Sequence, residues 1–450
     1  MYIFPQPKMN KAFHNGASCA AEKAALSAFE LITSYINRGG KSDTAIATHY
    51  NSIHYNTEER RVCQCIFLDF LRNKGLVEHF LSGFLHKKPK AKLYAYLCMT
   101  CSQLVDCEYD KACKRADSSV NSAKALFSVP ESKLVNAAQR KFLGYLDSLR
   151  KNLKNFEDFA LLYSMPLWLA KRFKAQFGEE KALEILRDFH SQKSVYFRVA
   201  YSPEARDAFL QVKDAFLPTP FADFYAVKPQ RFNDVSFMLK KGYAYAQDPS
   251  TSFAVNAVAF SAGQNVLDLC AAPGGKSAYI ADILNQKNSE KNMTSLLVSC
   301  DLPNKRFETL KANFAVRKFS NLKTKQVAFD LLEDDVAQKL ESAGVPMQYD
   351  VVFLDAPCSN TGVLGRRADA RYRITENDIN NCAEIQRRMF FKALNFVKKG
   401  GVIVFSTCSI DACENTENVA EFARSAQLLE SRIVLPAAHN DGAGYAVFKK

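Results

Sequence analysis

Apolar positions in the first third of the chain recur with the helical period. Residues 24–36, 59–70, 76–85, 91–104 and 132–149 repeat apolar side chains at helical spacing, with polar or glycine-containing breaks such as Arg38-Gly39-Gly40 between them. This predicts a run of amphipathic helices over 10–150. Residues 151–245 are mixed: the only tryptophan, Trp168, lies in an apolar stretch, a helical pattern covers 179–189, and more extended residues follow. From about residue 250 the pattern changes. Short apolar runs at 265–270, 295–300, 324–329, 350–354 and 401–406, with a last one near 444–448, alternate with helical stretches at 276–284, 305–316, 334–342 and 379–397. Such alternation predicts a parallel sheet with helices on both faces. The expected organisation is an all-α domain over 1–150, a small mixed linking subdomain over 151–245 and an α/β domain over 246–450.

Composition narrows the class. With 450 residues, 48% of them hydrophobic and 24% charged, the chain is globular and not disordered, collagen-like or coiled-coil. No stretch reaches the ~18 apolar residues of a membrane span; the nearest, 159–170, has Pro166 inside it. Residues 1–13 lack the charged-then-apolar grammar of a signal peptide. Thirteen cysteines, an odd number spread through apolar runs, suit free thiols in a reducing compartment. A cytoplasmic monomer without a membrane partner is therefore expected. The net charge is +13, of which +8 falls in residues 1–150, and this asymmetry points to a polyanionic partner, nucleic acid above all. The densest basic run there is 86–92, where Lys87 and Lys88 stand either on a solvated loop or against phosphate.

The candidate chemistry lies at the ends of the short apolar runs, where open α/β sheets bind ligands. The first ends in Asp268 and Cys270, the second in Asp301, the third in Asp330, the fourth in Asp355 and Cys358, and the fifth in Thr407 and Cys408. The first continues as Cys270-Ala271-Ala272-Pro273-Gly274-Gly275-Lys276-Ser277, whose paired glycines let backbone approach a ligand. It is not a nucleotide-hydrolase phosphate loop, because the first glycine of that pattern falls on Cys270. The dinucleotide pattern is absent as well. A cofactor without phosphate fits better, with Asp301 accepting from ribose hydroxyls and Asp330 from an adenine amine.

Between His190 and His439 there is no histidine. That removes Ser-His-Asp and Cys-His catalysis and a histidine-held metal from this domain. The spacing of Cys98, Cys101, Cys107 and Cys113 does not match common zinc sites, so no metal is expected. A thiol and a buried acid without histidine suit methylation of cytosine at C5: a thiolate adds to C6 while an acid protonates N3, and C5 becomes enamine-like and takes a methyl group. Spacing alone does not rank Cys358 against Cys408.

The motifs 268–276, Asp355-Ala356-Pro357-Cys358-Ser359 and Ser406-Thr407-Cys408-Ser409 resemble the signatures of the Nol/Nop/Sun family of RNA cytosine-C5 methyltransferases. Gln247-Asp248-Pro249-Ser250 is similar to a short element that precedes the first strand there. Residues 1–150, through 129–142 with Asn136 and Arg140, resemble the NusB-like RNA-binding domain of the family's RsmB (Fmu/Sun) branch, which acts on small-subunit rRNA. The resemblance implies a Rossmann-like catalytic domain that binds S-adenosylmethionine on Cys270, Ala271, Ala272, Pro273, Gly274, Gly275 and Lys276 with Asp301, Arg306, Asp330 and Asp355. It implies Cys408 as nucleophile, Cys358 as the thiol assisting product release, and Asp355 as the acid at N3. It implies small-subunit (16S) rRNA as the substrate, with tRNA or another RNA, a catalytically silent assembly protein and an amino-group methyltransferase as alternatives.

Three positions depart from the family pattern. Asn360 stands where glycine is usual. Residues 193–200 replace a Pro-Pro…Arg-Val-Asn stretch expected to meet RNA. Glu414-Asn415-Thr416 stands where Glu-Asn-Glu is common. Arg366, Arg367, Arg371 and Arg373 lie within eight residues just beyond Cys358, and are expected to clamp phosphate at the mouth of the site.

Overall fold

The computed structural model describes residues 16–51, 57–229 and 231–450; the stretch 1–13 read above for a signal peptide lies outside them. The chain forms two compact units, one of residues 1–191 with Leu364–Arg373, the other of Gln192–Val363 with Ile374–Lys450. The boundaries expected at 150 and 245 therefore move. The helices Phe156–Leu162, Leu167–Phe177 and Glu179–His190 fall in the first unit and the strands from Tyr196 onward in the second, so the expected linking subdomain is divided between them.

In the first unit the helices Gly16–Arg38, Thr57–Phe84, Ala91–Val105 and Val129–Lys151 surround a core that includes Phe67, Phe70, Tyr96 and Phe142. The helix Ala91–Val105 is buried at every position from Leu93 on, as a helix apolar all round must be. Its Cys98 and Cys101 are buried thiols, and burial pushes Cys98 up to about 12; no metal-ligating cluster occurs among the described residues. Residues 59–70 and 76–85, read as two helices, are one helix through Gly75. The helix Tyr109–Leu126 escaped the pattern because its buried face is Ala112, Ala116, Ser119, Ser122 and Ala123, with no large apolar side chain to mark a period. Among the described residues no helix is long and apolar enough to cross a membrane.

The segment Leu364–Arg373 is a strap within this helical unit, and it overturns part of the arginine reading. Arg371 is fully buried. Its guanidinium donates to the carbonyls of Tyr163 at 3.2 Å and of Phe189 and Leu364 at 3.0 Å each, which leaves it inaccessible to phosphate. Asp369 accepts from the Ser42 backbone N–H and hydroxyl at 3.1 and 2.7 Å, and Arg373 pairs with the same carboxylate at 2.8 Å. The Tyr372 hydroxyl donates to the Ser164 carbonyl at 3.1 Å. Arg367 is exposed and Arg366 half-buried.

The second unit holds two sheets. The smaller consists of β1 (Tyr196–Val199), β2 (Phe216–Pro218), β3 (Phe224–Val227) and β4 (Ala244–Ala246) in the order β2-β3-β1-β4, with helices Pro203–Val212 and Phe232–Lys240 between strands. This is a split βαββαβ arrangement. The larger consists of β5 (Asn265–Asp268), β6 (Ser295–Asp301), β7 (Leu322–Ala328), β8 (Tyr349–Asp355), β9 (Val397–Thr407), β10 (Gln427–Val434) and β11 (Ala443–Lys449), ordered β10-β11-β9-β8-β5-β6-β7. Pairing is parallel from β7 through β9, and β11 is antiparallel to both β9 and β10. All six expected strands are present. β10 was not anticipated, because it is an edge strand exposed along most of its length and lacks an apolar run. The chain moves outward from β5 to β7 and returns on the other side at β8, so the carboxyl ends of β5 and β8 flank the switch point where such sheets hold ligands.

Candidate active site

Asp268, the last residue of β5, is completely buried. The Ser277 hydroxyl donates to its Oδ2 at 2.5 Å, while Oδ1 is buried without a hydrogen-bond partner. Burial, with the carboxylates of Asp355 and Asp301 adding to it against the Ser277 hydrogen bond, pushes this carboxyl up to about 7. The folded protein thus holds the proton more tightly than the unfolded chain. The associated stability is full below the ordinary value of 3.8 and is lost as pH rises toward 7. Asp268→Asn, which mimics the neutral acid, is expected to gain on the wild type between pH 5 and pH 8, by roughly 2–4 kcal/mol. Thermal unfolding at the two pH values checks this; a difference that does not widen would contradict it.

The loop after β5 is pinned from its neighbours. Ala271 N–H donates to the Cys300 carbonyl at 2.9 Å, and Ala272 N–H donates to Asp301 Oδ2 at 2.8 Å. The Arg306 guanidinium donates to the Ala272 carbonyl, and the Asn313 amide donates to that of Pro273 at 2.9 Å. Gly274 adopts φ 108°, and a Cβ there would lie 2.8 Å from Leu310 Cδ1, so both backbone and space require glycine. The helix Gly275–Lys291 starts directly after it.

All residues expected to hold the cofactor except Gly274, Asp301 and Asp330 line a cavity of about 240 Å³. Asp301 acts one step back, on the loop. Asp330 accepts from Leu332 N–H at 2.8 Å and shapes the turn after β7. Tyr245, Gln247, Asp248 and Thr251 also line the cavity, so the 247–250 element is part of its wall. Gln247 accepts from Arg198 Nε at 3.0 Å, and Arg198 Nη1 donates to Asp282 at 2.7 Å. Arg198 is fully buried on β1. In the segment expected to meet RNA, this arginine is therefore part of the protein interior and supports the cavity wall.

Beyond the cavity, the ends of β8 and β9 bring the acid and thiols into one neighbourhood. Lys276 Nζ donates to Asp355 Oδ2 at 2.8 Å, and the Ser406 hydroxyl donates to Oδ1 at 2.8 Å. Burial opposes the Lys276 charge, but Asp355 holds its pKa above the ordinary lysine value. Cys358 and Cys408 are not bridged by a disulfide, and their sulfurs lie 3.0 Å apart. Contact with Cys408, then burial, pushes the Cys358 thiol well above the ordinary range. The Cys408 thiol donates to Asn360 Oδ1 at 3.2 Å.

Glu414 and Asn415 fasten these two loops from a single π-turn, Cys413–Glu417, a rare form of helix that is frequent at functional sites. Glu414 is fully buried. It accepts from Ser359 N–H at 2.8 Å, from the Ser359 hydroxyl, from the Ser409 hydroxyl at 2.5 Å and from Gln386 at 3.0 Å. Burial raises its pKa against those bonds. Asn415 accepts from the Thr407 hydroxyl at 3.0 Å and donates to the Ser409 and Asp411 carbonyls. Backbone closes the same junction, with Gly362 N–H donating to the Cys408 carbonyl at 3.0 Å. A Cβ on Gly362 would lie 2.3 Å from the Gly442 carbonyl oxygen. In the sequence, Glu414-Asn415 stands out only as a variant motif. Two polar residues shortly after the Thr-Cys pair, followed by the buried polar Asn418, were the available signal.

Residues 255–446 match the family model described as 16S rRNA methyltransferase RsmB/F. The Ribosomal RNA small subunit methyltransferase B of Vibrio vulnificus (strain YJ016) is 27% identical over 440 residues, covering 92% of this chain and 96% of its own. The protein of the same name from Shewanella oneidensis is 28% identical over 314 residues, covering 69% and 68%. Among solved structures, PH0851 gives a TM-score of 0.69 at 22% identity over 95% of this chain and 98% of its own. A methyltransferase homologue from Pyrococcus horikoshii gives 0.54 at 22% identity, covering 65% and 98%. At that identity the two structures show a shared fold.

Proposed function

Because its catalytic domain belongs to the RsmB/F family of RNA methyltransferases, we propose that this enzyme methylates C5 of a cytosine in small-subunit (16S) rRNA through a covalent bond from Cys408 to C6. The observation that carries this reading is the unbridged thiol pair at 3.0 Å beside the Lys276–Asp355 pair, in a domain without histidine before His439.

The cavity suits S-adenosylmethionine. It offers close backbone at Gly275, and Asp268 has a buried oxygen without a partner. Cys270–Lys276, Arg306 and Asp355 would hold it, with Asp301 and Asp330 shaping the loops. Bound there, it supplies a methyl group as an electrophile on its sulfonium. Cys408 Sγ adds to C6 of the pyrimidine, and the proton that N3 gains comes from Lys276 by way of Asp355. C5 then carries the electron density needed to accept the methyl group. Cys358, kept protonated at rest by its surroundings, is the second thiol. Once Cys408 is bonded to C6 and its thiol no longer holds Cys358 in the protonated form, Cys358 gives its proton to water; as thiolate it then takes the proton from C5, and the C6–S bond breaks with its electron pair returning to Cys408.

Phosphate contact falls to Lys87 and Lys88, both exposed, and to the accessible arginines 366, 367 and 373. Their contribution is electrostatic and falls with salt.

The test is transfer of labelled methyl from S-adenosylmethionine to unmodified small-subunit rRNA and to tRNA, with 5-methylcytosine mapped in each. Label at a single cytosine of the rRNA supports the reading. Label confined to tRNA, or at a position other than C5, overturns it.

A further inference from the structure

Asn360 has φ 65°, a left-handed conformation that glycine takes without a side-chain penalty. Glycine would meet the backbone demand more easily, so the side chain itself requires an account. Its amide is engaged at both ends. Nδ2 donates to the Cys358 carbonyl at 3.0 Å, and Oδ1 accepts from the Cys408 thiol at 3.2 Å. The first bond sets which end of the amide meets sulfur, because an inverted amide would put oxygen against oxygen.

An amide oxygen accepts a hydrogen bond but does not take the proton away. Bonding of this kind stabilises the thiol and not the thiolate. Other groups also bear on this thiol. Cys358 lies 3.0 Å away and can donate to its sulfur. Lys276 carries a positive charge that interacts with it, paired to Asp355. Cys382 interacts with it from the helix Glu376–Ala393, and Glu414 acts on the neighbouring Cys358 from the π-turn. Lys276 favours the thiolate and the carboxylates oppose it. Asn360 is the neutral group that sets the direction of the S–H bond.

Resting on the assignment of Cys408 as nucleophile, we propose that Asn360 is a catalytic residue that latches Cys408: it keeps the sulfur protonated and aimed until a pyrimidine enters. When substrate enters, the hydrogen bond from Cys408 to the amide oxygen is given up, the thiol proton passes to Lys276 in place of the one that Lys276 gives to N3 through Asp355, and the thiolate so formed adds to C6. Without RNA the latch makes the thiol slow to react with electrophiles.

The experiment follows alkylation of Cys408 by iodoacetamide against pH in the full-length protein without RNA. Peptide mass spectrometry resolves this cysteine from the other twelve. Asn360→Gly removes the acceptor and suits the backbone. Its alkylation midpoint is expected to fall by about half to one pH unit, with the rate at pH 7 rising roughly 3–10-fold. Asn360→Asp keeps the acceptor and adds negative charge, so its midpoint is expected to rise. Midpoints equal to wild type in both variants overturn the proposal. So does an Asn360→Gly effect confined to the high-pH plateau, which would mean that the amide only shields the sulfur.

The nucleophile assignment is read separately, by trapping wild type on 5-fluorocytosine-substituted RNA and mapping the adducted peptide. An adduct on Cys358 overturns that assignment, whereas the alkylation midpoints report on Asn360 alone.

Discussion

Cys408→Ala is expected to lose methyl transfer by at least about 10³-fold, while Cys358→Ala accumulates a protein–RNA adduct that survives a denaturing gel. The two thiols sit at the same distance from one another but not in the same surroundings. Cys408 donates toward Asn360 and lies in the field of Lys276. Cys358 is pushed toward its protonated form by Cys408, burial and Glu414. On the roles proposed above, removing Cys408 stops the sequence before any bond to RNA forms. Removing the second thiol stops it after that bond forms and before elimination. S-adenosylmethionine binding by Cys408→Ala, measured by calorimetry, should match wild type, because Cys408 does not line the cavity. Adduct formed by Cys408→Ala would exchange the two roles.

Glu414→Ala is expected to destabilise the catalytic unit by about 3–5 kcal/mol and to reduce turnover further than unfolding accounts for. The carboxylate is the common acceptor for Ser359, next to one thiol, and Ser409, next to the other. Alanine leaves the Ser359 N–H, two hydroxyls and the Gln386 amide facing a void, and buried donors without acceptors are costly. Glu414→Gln retains one acceptor oxygen, and serine hydroxyls can rotate to accept from its amide, so it should restore most of the stability. Thermal unfolding reads the first effect. Single-turnover methylation well below the melting temperature reads the second, and normal turnover in folded Glu414→Ala would show that the thiols hold their geometry without it.

The chain's pattern made the catalytic sheet legible for a physical reason. β6 and β8 are parallel strands buried on both faces, so they read as continuous apolar runs, and their ends mark the site. The same logic placed Asp268, Asp301, Asp355, Cys358 and Cys408 at strand ends in one sheet. What it missed depends on contacts distant in sequence. β10 is exposed at an edge, and Tyr109–Leu126 packs with alanine and serine. Arg371 looked like its arginine neighbours, because nothing local shows that the carbonyls of Tyr163 and Phe189 close over it. The roles of Glu414 and Asn360 likewise exist only once two loops about fifty residues apart are joined.

The strap Leu364–Arg373 also has a consequence for inheritance. The chain passes between the two units at 191/192, again at 363/364 and again at 373/374. A gene segment encoding 192–450 would carry ten residues whose buried partners, for Arg371 and Asp369 alike, are encoded elsewhere. Recombination that exchanged the helical unit for an unrelated one would leave a buried-type arginine and aspartate in solvent, thirteen and eleven residues after Cys358. Exchange of the helical unit alone therefore costs these buried hydrogen bonds, and Ser42 is matched by a carboxylate in the segment that follows Cys358.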